Sequence, residues 1–360
     1  MKKLRFKQGL VTLAVCLCTA TLTANAEEVK KEFHRELVPG ASTTLTVINK
    51  FGDVVTQTWA ENKIVVDVVV TINHPSAEKA KKLLEMIDVK FTEADGNLTA
   101  ETIFAEDFST RSWGNEDNKF SIDYSIKMPA KINLTVSNKY GNSDIDEVAG
   151  LANLEAKYGN LTVHKLTRGN VKPLNRLEVA YGKAVIDEVS WAEIYARYSG
   201  QFDVRKATAL LADTRYSKIN IDEVSSLVFE SKYDGYNVGK ASNIVAVGGY
   251  TNLNFKTIDK KLDAETKYGN LNVEQVAAGF EKITVKAGYC SVRLGMDAAS
   301  CYNLEARSSY GGVKVDDANF SPDRRIQGNT SSELAGKVGK CANPSASVNI
   351  EISYGSAKLY

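Results

Sequence analysis

Acid–base catalysis, metal ligation and nucleophilic attack draw on a short list of side chains, and this chain is poor in most of them. It has three histidines, His34, His74 and His164. His164 follows Val163 beside Lys165 and reads as a solvated turn residue, with no Ser or Cys pattern that would make it a base. No GxSxG, HExxH or phosphate-loop pattern occurs. Carboxylates are plentiful, and one acidic motif recurs: Ile145-Asp146-Glu147-Val148, Ile186-Asp187-Glu188-Val189 and Ile221-Asp222-Glu223-Val224, with Val315-Asp316-Asp317 as a looser echo. Glycoside hydrolysis needs two carboxylates held a fixed distance apart in a cleft, and no pair stands out here. Ca²⁺ takes several carboxylate or carbonyl oxygens, but the spacing fits neither an EF-hand nor a Gly-Asp-rich nonapeptide repeat. Solvated turns that discourage edge-to-edge association are the expectation, with structural calcium as the alternative. No catalytic residue, cofactor or metal site is assigned.

The aromatic residues carry more information. There are 31, of which 16 are Tyr. Trp113 sits in a polar loop, Ser109 to Lys119, next to Gly114, and is the one candidate ligand-binding residue. Trp191, just past an acidic motif, is expected to cap a corner. An exposed row of Tyr would make a binding surface for sugar or protein, whereas an internal row would be core packing.

The elements that must position these residues begin after residue 26. Lys2, Lys3, Arg5 and Lys7 precede an apolar run from Leu10 to Ala20, and Ala24-Asn25-Ala26 closes the segment. This is the layout of a secretory signal, and the apolar run is too short for a membrane span. No later run is long enough either, so no transmembrane helix is expected. Lipidation at Cys16 or Cys18 is disfavoured, because Val15 is a poor cleavage residue and the apolar run would be cut in half. Without residues 1–26 the chain has 41 basic and 44 acidic residues, which excludes a strongly basic nucleic-acid surface. Three cysteines remain, Cys290, Cys301 and Cys341. An exported chain permits one bridge among them, and the spacing does not choose the pair.

A repeat organises most of the remaining chain. Tyr recurs at 140, 158, 181, 198, 216, 233, 250, 268, 289 and 310, with Tyr354 near two further periods and Phe51-Gly52 as an outlying earlier copy. The next residue is Gly at 141, 159, 182, 269, 311 and 355. Around the Tyr the pattern has period two. Leu154, Ala156 and Tyr158 share one face, Glu155 and Lys157 the other, and Leu161 and Val163 return to the apolar face after Gly159-Asn160. This phase places the Tyr inside, and the Gly is expected to supply positive φ at the corner. Such short units cannot bury their own faces, but stacking them buries a continuous column. The prediction is an all-β fold: a parallel β-helix (solenoid) with 17–23-residue rungs. A propeller needs longer blades, and a meander barrel is the alternative.

Residues 27–129 read as a strand-and-helix cap and residues 130–360 as the repeat domain. Thr43 to Ile48 and Lys63 to Ile72 are strand-like. A helix from Ala77 to Ile87, capped by Ser76, turns Ala80, Leu83, Leu84 and Ile87 to one face. Asn319 to Pro344 breaks the rhythm as an excursion before a last strand, Ser347 to Ser353.

Phe51-Gly52-Asp53-Val54, Ile122-Asp123-Tyr124-Ser125-Ile126-Lys127-Met128-Pro129 and the Lys-Tyr-Gly-Asn-Leu blocks resemble an exported bacterial family common in Bacteroidetes. The family is labelled "putative adhesin" or β-strand-repeat domain of unknown function, and the similarity runs over about residues 33–358. The resemblance implies a parallel β-helix, no known cofactor, no agreed ligand and no catalytic residues to carry over. This chain departs from the pattern at Tyr198-Ser199, Tyr216-Ser217, Tyr233-Asp234 and Tyr250-Thr251, corners that need not be left-handed. The expectation is a non-catalytic, exported binding protein of the periplasm or cell surface. Its partner would be a glycan, another envelope protein or another copy of itself. The rivals are a carbohydrate-active enzyme and a purely structural envelope component.

Overall fold

The computed structural model describes residues 27–109 and 119–360. Almost every element is a β-strand, and the strands join one hydrogen-bonded sheet. The repeating unit is strand, aromatic corner, strand. In the middle of the chain the strands Lys183–Arg197, Gln201–Arg215, Lys218–Lys232 and Gly235–Gly249 each run from one corner to the next. Successive units pair in parallel and in register, Phe202 with Ile219 and Ile219 with Tyr236. Each unit is named by its corner aromatic.

Register puts like on like. One buried column runs Val163, Ile186, Val204, Ile221, Val238, Phe255, Val273, Leu294 and Leu359. Each such side chain contributes about 1.5–3 kcal/mol by leaving water. The column is available only because neighbouring units stack, which is why single units of this length are not stable alone.

The Phe51 unit, from Thr44–Lys50 and Val54–Thr58, pairs in parallel with the Tyr140 unit, although a long stretch of chain separates Thr58 from Tyr140. On its far side the unit pairs in parallel with Asn97–Phe104 and Lys119–Met128, and beyond these strands the pairing turns antiparallel. Lys119–Met128 pairs with Ile64–His74, which pairs with Glu27–Leu37. The helix Ala77–Glu85 starts where Ser76 accepts from the Lys79 N–H, and it packs against Glu27–Leu37 and Ile64–His74 with Ala80 buried. Ile87, expected in its last turn, instead begins the strand Ile87–Ala94.

The other end has an inserted strand. Ala346–Ser353 lies in parallel between Lys282–Gly288 and Tyr302–Ser309, so the Tyr354 unit sits between the Tyr289 and Tyr310 units. The excursion before it is a hairpin, Phe320–Gln327 with Ser331–Val338, which pairs antiparallel with Tyr302–Ser309. Pro322, Arg324 and Arg325 lie on the outermost strand, residue types that deter further strand addition. Cys301 is bridged to Cys341 across this excursion, and Cys290 is free and buried.

Candidate functional site

The corner tyrosines are not core. Phe51 and the eleven corner tyrosines all take positive φ, from 51° to 64°. That includes Tyr198, Tyr216, Tyr233 and Tyr250, where the sequence offered no Gly and no left-handed corner was required. A left-handed residue turns its side chain out of the alternation. The Tyr side chains therefore stand 42–59% exposed at the corner while Ala156 and Leu161 on either side of Tyr158 stay buried.

The rings stack face to face. From Phe51 through Tyr140 to Tyr289, then Tyr354 and Tyr310, neighbouring centroids are 4.7–5.1 Å apart and planes tilt by 2–18°. At the first ring the stack ends against Phe104 and Phe120. Eleven steps near the inter-strand spacing make a strip about 50 Å long. The ring faces cover one another, so the strip offers ring edges and phenol hydroxyls rather than flat stacking platforms.

Left-handed φ costs a bulky residue about 1–2 kcal/mol, and each aromatic pair returns about 0.5–1.5 kcal/mol. These nearly cancel, so the ladder is not obviously present for stability. They also set an order for variants. Tyr216→Ala keeps the strained φ and loses both stacks, whereas Tyr216→Gly loses the stacks but relieves the strain. We expect Ala to be less stable than Gly by about 1 kcal/mol in urea unfolding. Equal stability, or Gly below Ala, would contradict the left-handed corner.

The glycines have another job. Those after the corner tyrosines lack positive φ. They allow a carbonyl to turn inward, toward the place where the next corner's Cβ would sit. Buried donors reach two of these corner carbonyls: Asn49 and Asn138 donate to Gly52 O at 3.2 and 3.0 Å, and Ser199 to Gly182 O at 2.8 Å. At Ser217, Asp234 and Thr251 the preceding corner is built differently. There the carbonyls of Ser199, Ser217 and Asp234 accept from the N–H groups of Lys218, Gly235 and Asn252, and a side chain fits. Ser199, Ser217, Asp234 and Thr251 are all buried. Burial pushes the Asp234 carboxyl above its usual range, against hydrogen bonds from Thr214 and two backbone N–H groups that pull it down.

The strip has two different flanks. On one side Lys50, Lys139 and Lys157 align, then Arg197, Arg215 and Lys232, and later Lys267, with gaps at Ala180 and Gly249. Several of these are partly neutralised, as Lys157 is by Glu155 at 2.6 Å and Arg197 by Asp213 at 3.0 Å. On the other side exposed amides form ladders, Asn142 with Asn160 at 2.9 Å and Asn252 with Asn270 at 3.1 Å. Missing this strip from sequence was a matter of phase, since the recurring Tyr itself was plain.

His164 lies in the strand Leu161–Leu166 rather than on a turn. Its Nδ1 is 2.9 Å from Asp187 and its Nε2 3.1 Å from Asp144, and Asp187 also pairs with Arg205 at 3.0 Å. The hydrogen bond with Asp187 holds its pKa above 6.5, with Asp144 adding to the effect. The stability this gives is present below the unfolded pKa and is lost as pH rises through the raised folded value. The ring is about half exposed, so the contribution is under ~1 kcal/mol. NMR titration should give a midpoint above 6.5 that falls in Asp187→Asn. A midpoint at or below 6.5 in the parent protein would rule the arrangement out.

The acidic motifs are spread along the stack and mostly occupied. Asp146 accepts from the Thr58 N–H at 2.8 Å, Glu147 faces Lys165 at 3.7 Å, and Asp317 pairs with Arg325. Among the described residues no group of three or more His, Cys, Asp or Glu is arranged to hold a metal ion. Trp113 lies outside the described residues. Trp59 donates to Lys63 O at 2.7 Å, and Trp191 lies within the strand Lys183–Arg197 opposite Ala209. Among the described residues no helix is long and apolar enough to cross a membrane.

No family profile and no curated protein matches the chain. Three solved structures illustrate its distant likenesses. One is a "putative cell adhesion protein" from Clostridium sporogenes, at 11% identity over 92% of this chain and 99% of that one, TM-score 0.21. Another is a "putative adhesin" from Bacteroides fragilis, at 9% identity over 92% and 97%, TM-score 0.28. The third is a "putative lipid binding protein" from Parabacteroides distasonis, at 10% identity over 91% and 96%, TM-score 0.32. The chain is thus similar, distantly and at low identity, to adhesin-type proteins of Bacteroidetes and their relatives, and superpositions this loose fix neither ligand nor role.

Proposed function

We propose that the chain is an exported, non-catalytic binding protein of the bacterial envelope, built as a parallel β-solenoid with 17–23-residue rungs. Its contact surface is the tyrosine strip, and its ligand is an extended glycan laid along the stack. The observation that carries this is the strip itself: stacked rings, half exposed, over about 50 Å. A row of phenol hydroxyls between amide ladders and a basic column offers repeated hydrogen bonds at the strand spacing. That suits a linear polymer rich in hydroxyls, whose own donors and acceptors recur along its length. Parallel pairing at offsets such as Phe202 with Ile219 supports the solenoid. The secretory pattern of residues 1–26 and the Cys301–Cys341 bridge support export to an oxidising compartment.

The test is binding of the purified protein to an array of bacterial polysaccharides, beside the triple variant Tyr198→Phe, Tyr216→Phe, Tyr233→Phe. Phe keeps the stack and removes only hydroxyls. Retention on at least one polysaccharide, weakened about tenfold or more in the variant at unchanged circular dichroism, is the expected result. No retained polysaccharide, or equal binding by the variant, would refute the reading.

A further inference from the structure

The borders of the tyrosine strip are strongly one-sided in charge. The residue before each corner aromatic and the second residue after it together supply nine bases and one carboxylate. That carboxylate, Asp53, already accepts from the Asn142 backbone N–H at 2.7 Å and from the Asn142 amide at 3.2 Å. The chain as a whole is balanced, with 45 basic and 44 acidic residues, so the excess is local to the strip.

The bases keep the rhythm of the stack. From Phe51 through Tyr140 to Tyr233, seven consecutive stacked units, each unit has at least one. Where the leading column lapses at Ala180, the opposite border supplies Lys183 in the same unit, and the Tyr216 unit has Arg215 on one border and Lys218 on the other. Lys157, Arg197 and Arg215 are in ion pairs with Glu155 or Asp213. Among the described residues Lys50, Lys139, Lys183, Lys218, Lys232 and Lys267 form none, and the Lys232 ammonium lies 5.8 Å from the Tyr233 ring centroid, at the strip itself. Glu155 and Asp213 belong to a row one step further out, about 7 Å away along the strands, which also holds Glu178, Glu230 and Glu265. The positive ribbon therefore has an acidic outer border, and an anion is drawn to the strip rather than to the open sheet beside it.

Bases recurring at the strand spacing suit a ligand whose negative charges recur along a line. An extended chain of pyranose rings advances by about one strand spacing per sugar, and a uronic acid puts one carboxylate on each. Single-stranded nucleic acid is also a linear polyanion, but proteins hold it on aromatic faces where bases stack, and here the ring faces cover one another.

We propose that the glycan held on the strip is a linear polyuronate, its carboxylates meeting the lysines while its hydroxyls meet the phenols. This rests on the strip being the glycan site.

The experiment measures retention of the purified protein on immobilised polygalacturonate and alginate, on neutral dextran and on single-stranded DNA. At least one polyuronate should bind, and binding should weaken about tenfold or more between about 50 and 300 mM salt as screening shortens the reach of the charges. The triple variant Lys183→Gln, Lys218→Gln, Lys232→Gln alters exposed, unpaired side chains and should weaken polyuronate binding about tenfold at the lower salt. The control Lys206→Gln, Lys256→Gln, Lys260→Gln has the same net charge, lies away from the corners and should bind as the parent does. Dextran retained alone, and released by the Tyr→Phe triple variant, would keep the strip as a glycan site and overturn its acidic preference. Polyuronate binding that ignores the strip lysines, or that falls equally in the control, would overturn it too. DNA bound as tightly as the polyuronates would overturn the choice of a glycan as the polyanion, and retention on none of the four would remove the polyuronate.

Discussion

Gly159→Ala should cost about 3 kcal/mol or more, while Gly200→Ala, at the next corner but one, should be neutral or stabilising by about 0.5 kcal/mol. A Cβ on Gly159 would overlap the carbonyl oxygen of Gly141, whereas one on Gly200 meets nothing within 4 Å. Neither glycine has positive φ, so the contrast isolates close approach from backbone freedom. Gly141 cannot retreat, because its neighbours are locked by parallel pairing on both sides: Tyr140 N–H donates to Lys157 O at 2.9 Å and Phe51 N–H to Lys139 O at 2.8 Å. Relief would require opening two units together. Urea unfolding of the two variants checks this, and equal midpoints would mean that the corner backbone slides freely, contrary to the register.

The interior was readable because burial is periodic. Leu154, Ala156, Leu161 and Val163 alternate as expected and all lie inside. The corners were not, because alternation assumes extended backbone at every residue. Ala156 and Leu161 are five apart and both buried, so the phase must break between them. That odd interval was a visible sign that Tyr158 need not follow Ala156 inward. Residue type marks the Gly after Tyr as the carrier of positive φ, yet the Tyr carries it and the Gly makes room for a carbonyl. His164 departs from its sequence for a related reason: a polar residue after Val163 looks like a turn, although here it bridges two neighbouring carboxylates across strands.

Replacing both Cys301 and Cys341 by Ser should loosen one end of the stack and leave the rest intact. The bridge closes a 40-residue loop, worth about 4 kcal/mol in the chain-entropy model. That loop holds the strand Tyr302–Ser309 and the hairpin that covers it. Its return path then slots Ala346–Ser353 between two units already adjacent in sequence, Lys282–Gly288 and Tyr302–Ser309. Such an inserted strand can be seated only if the outer unit stays close without yet pairing, and the bridge restricts the unfolded chain toward that arrangement. The middle units pair with neighbours on both sides and gain nothing from the bridge. Hydrogen exchange should therefore quicken across 302–338 and 346–359 in the double variant, with protection kept over 183–276. Uniform quickening along the whole chain would mean that the stack unfolds as one unit. Unchanged protection at 302–338 would mean that the aliphatic contacts of Leu304, Ala306, Val348 and Ile350, all buried where the inserted strand meets its neighbour, hold the cap without covalent help.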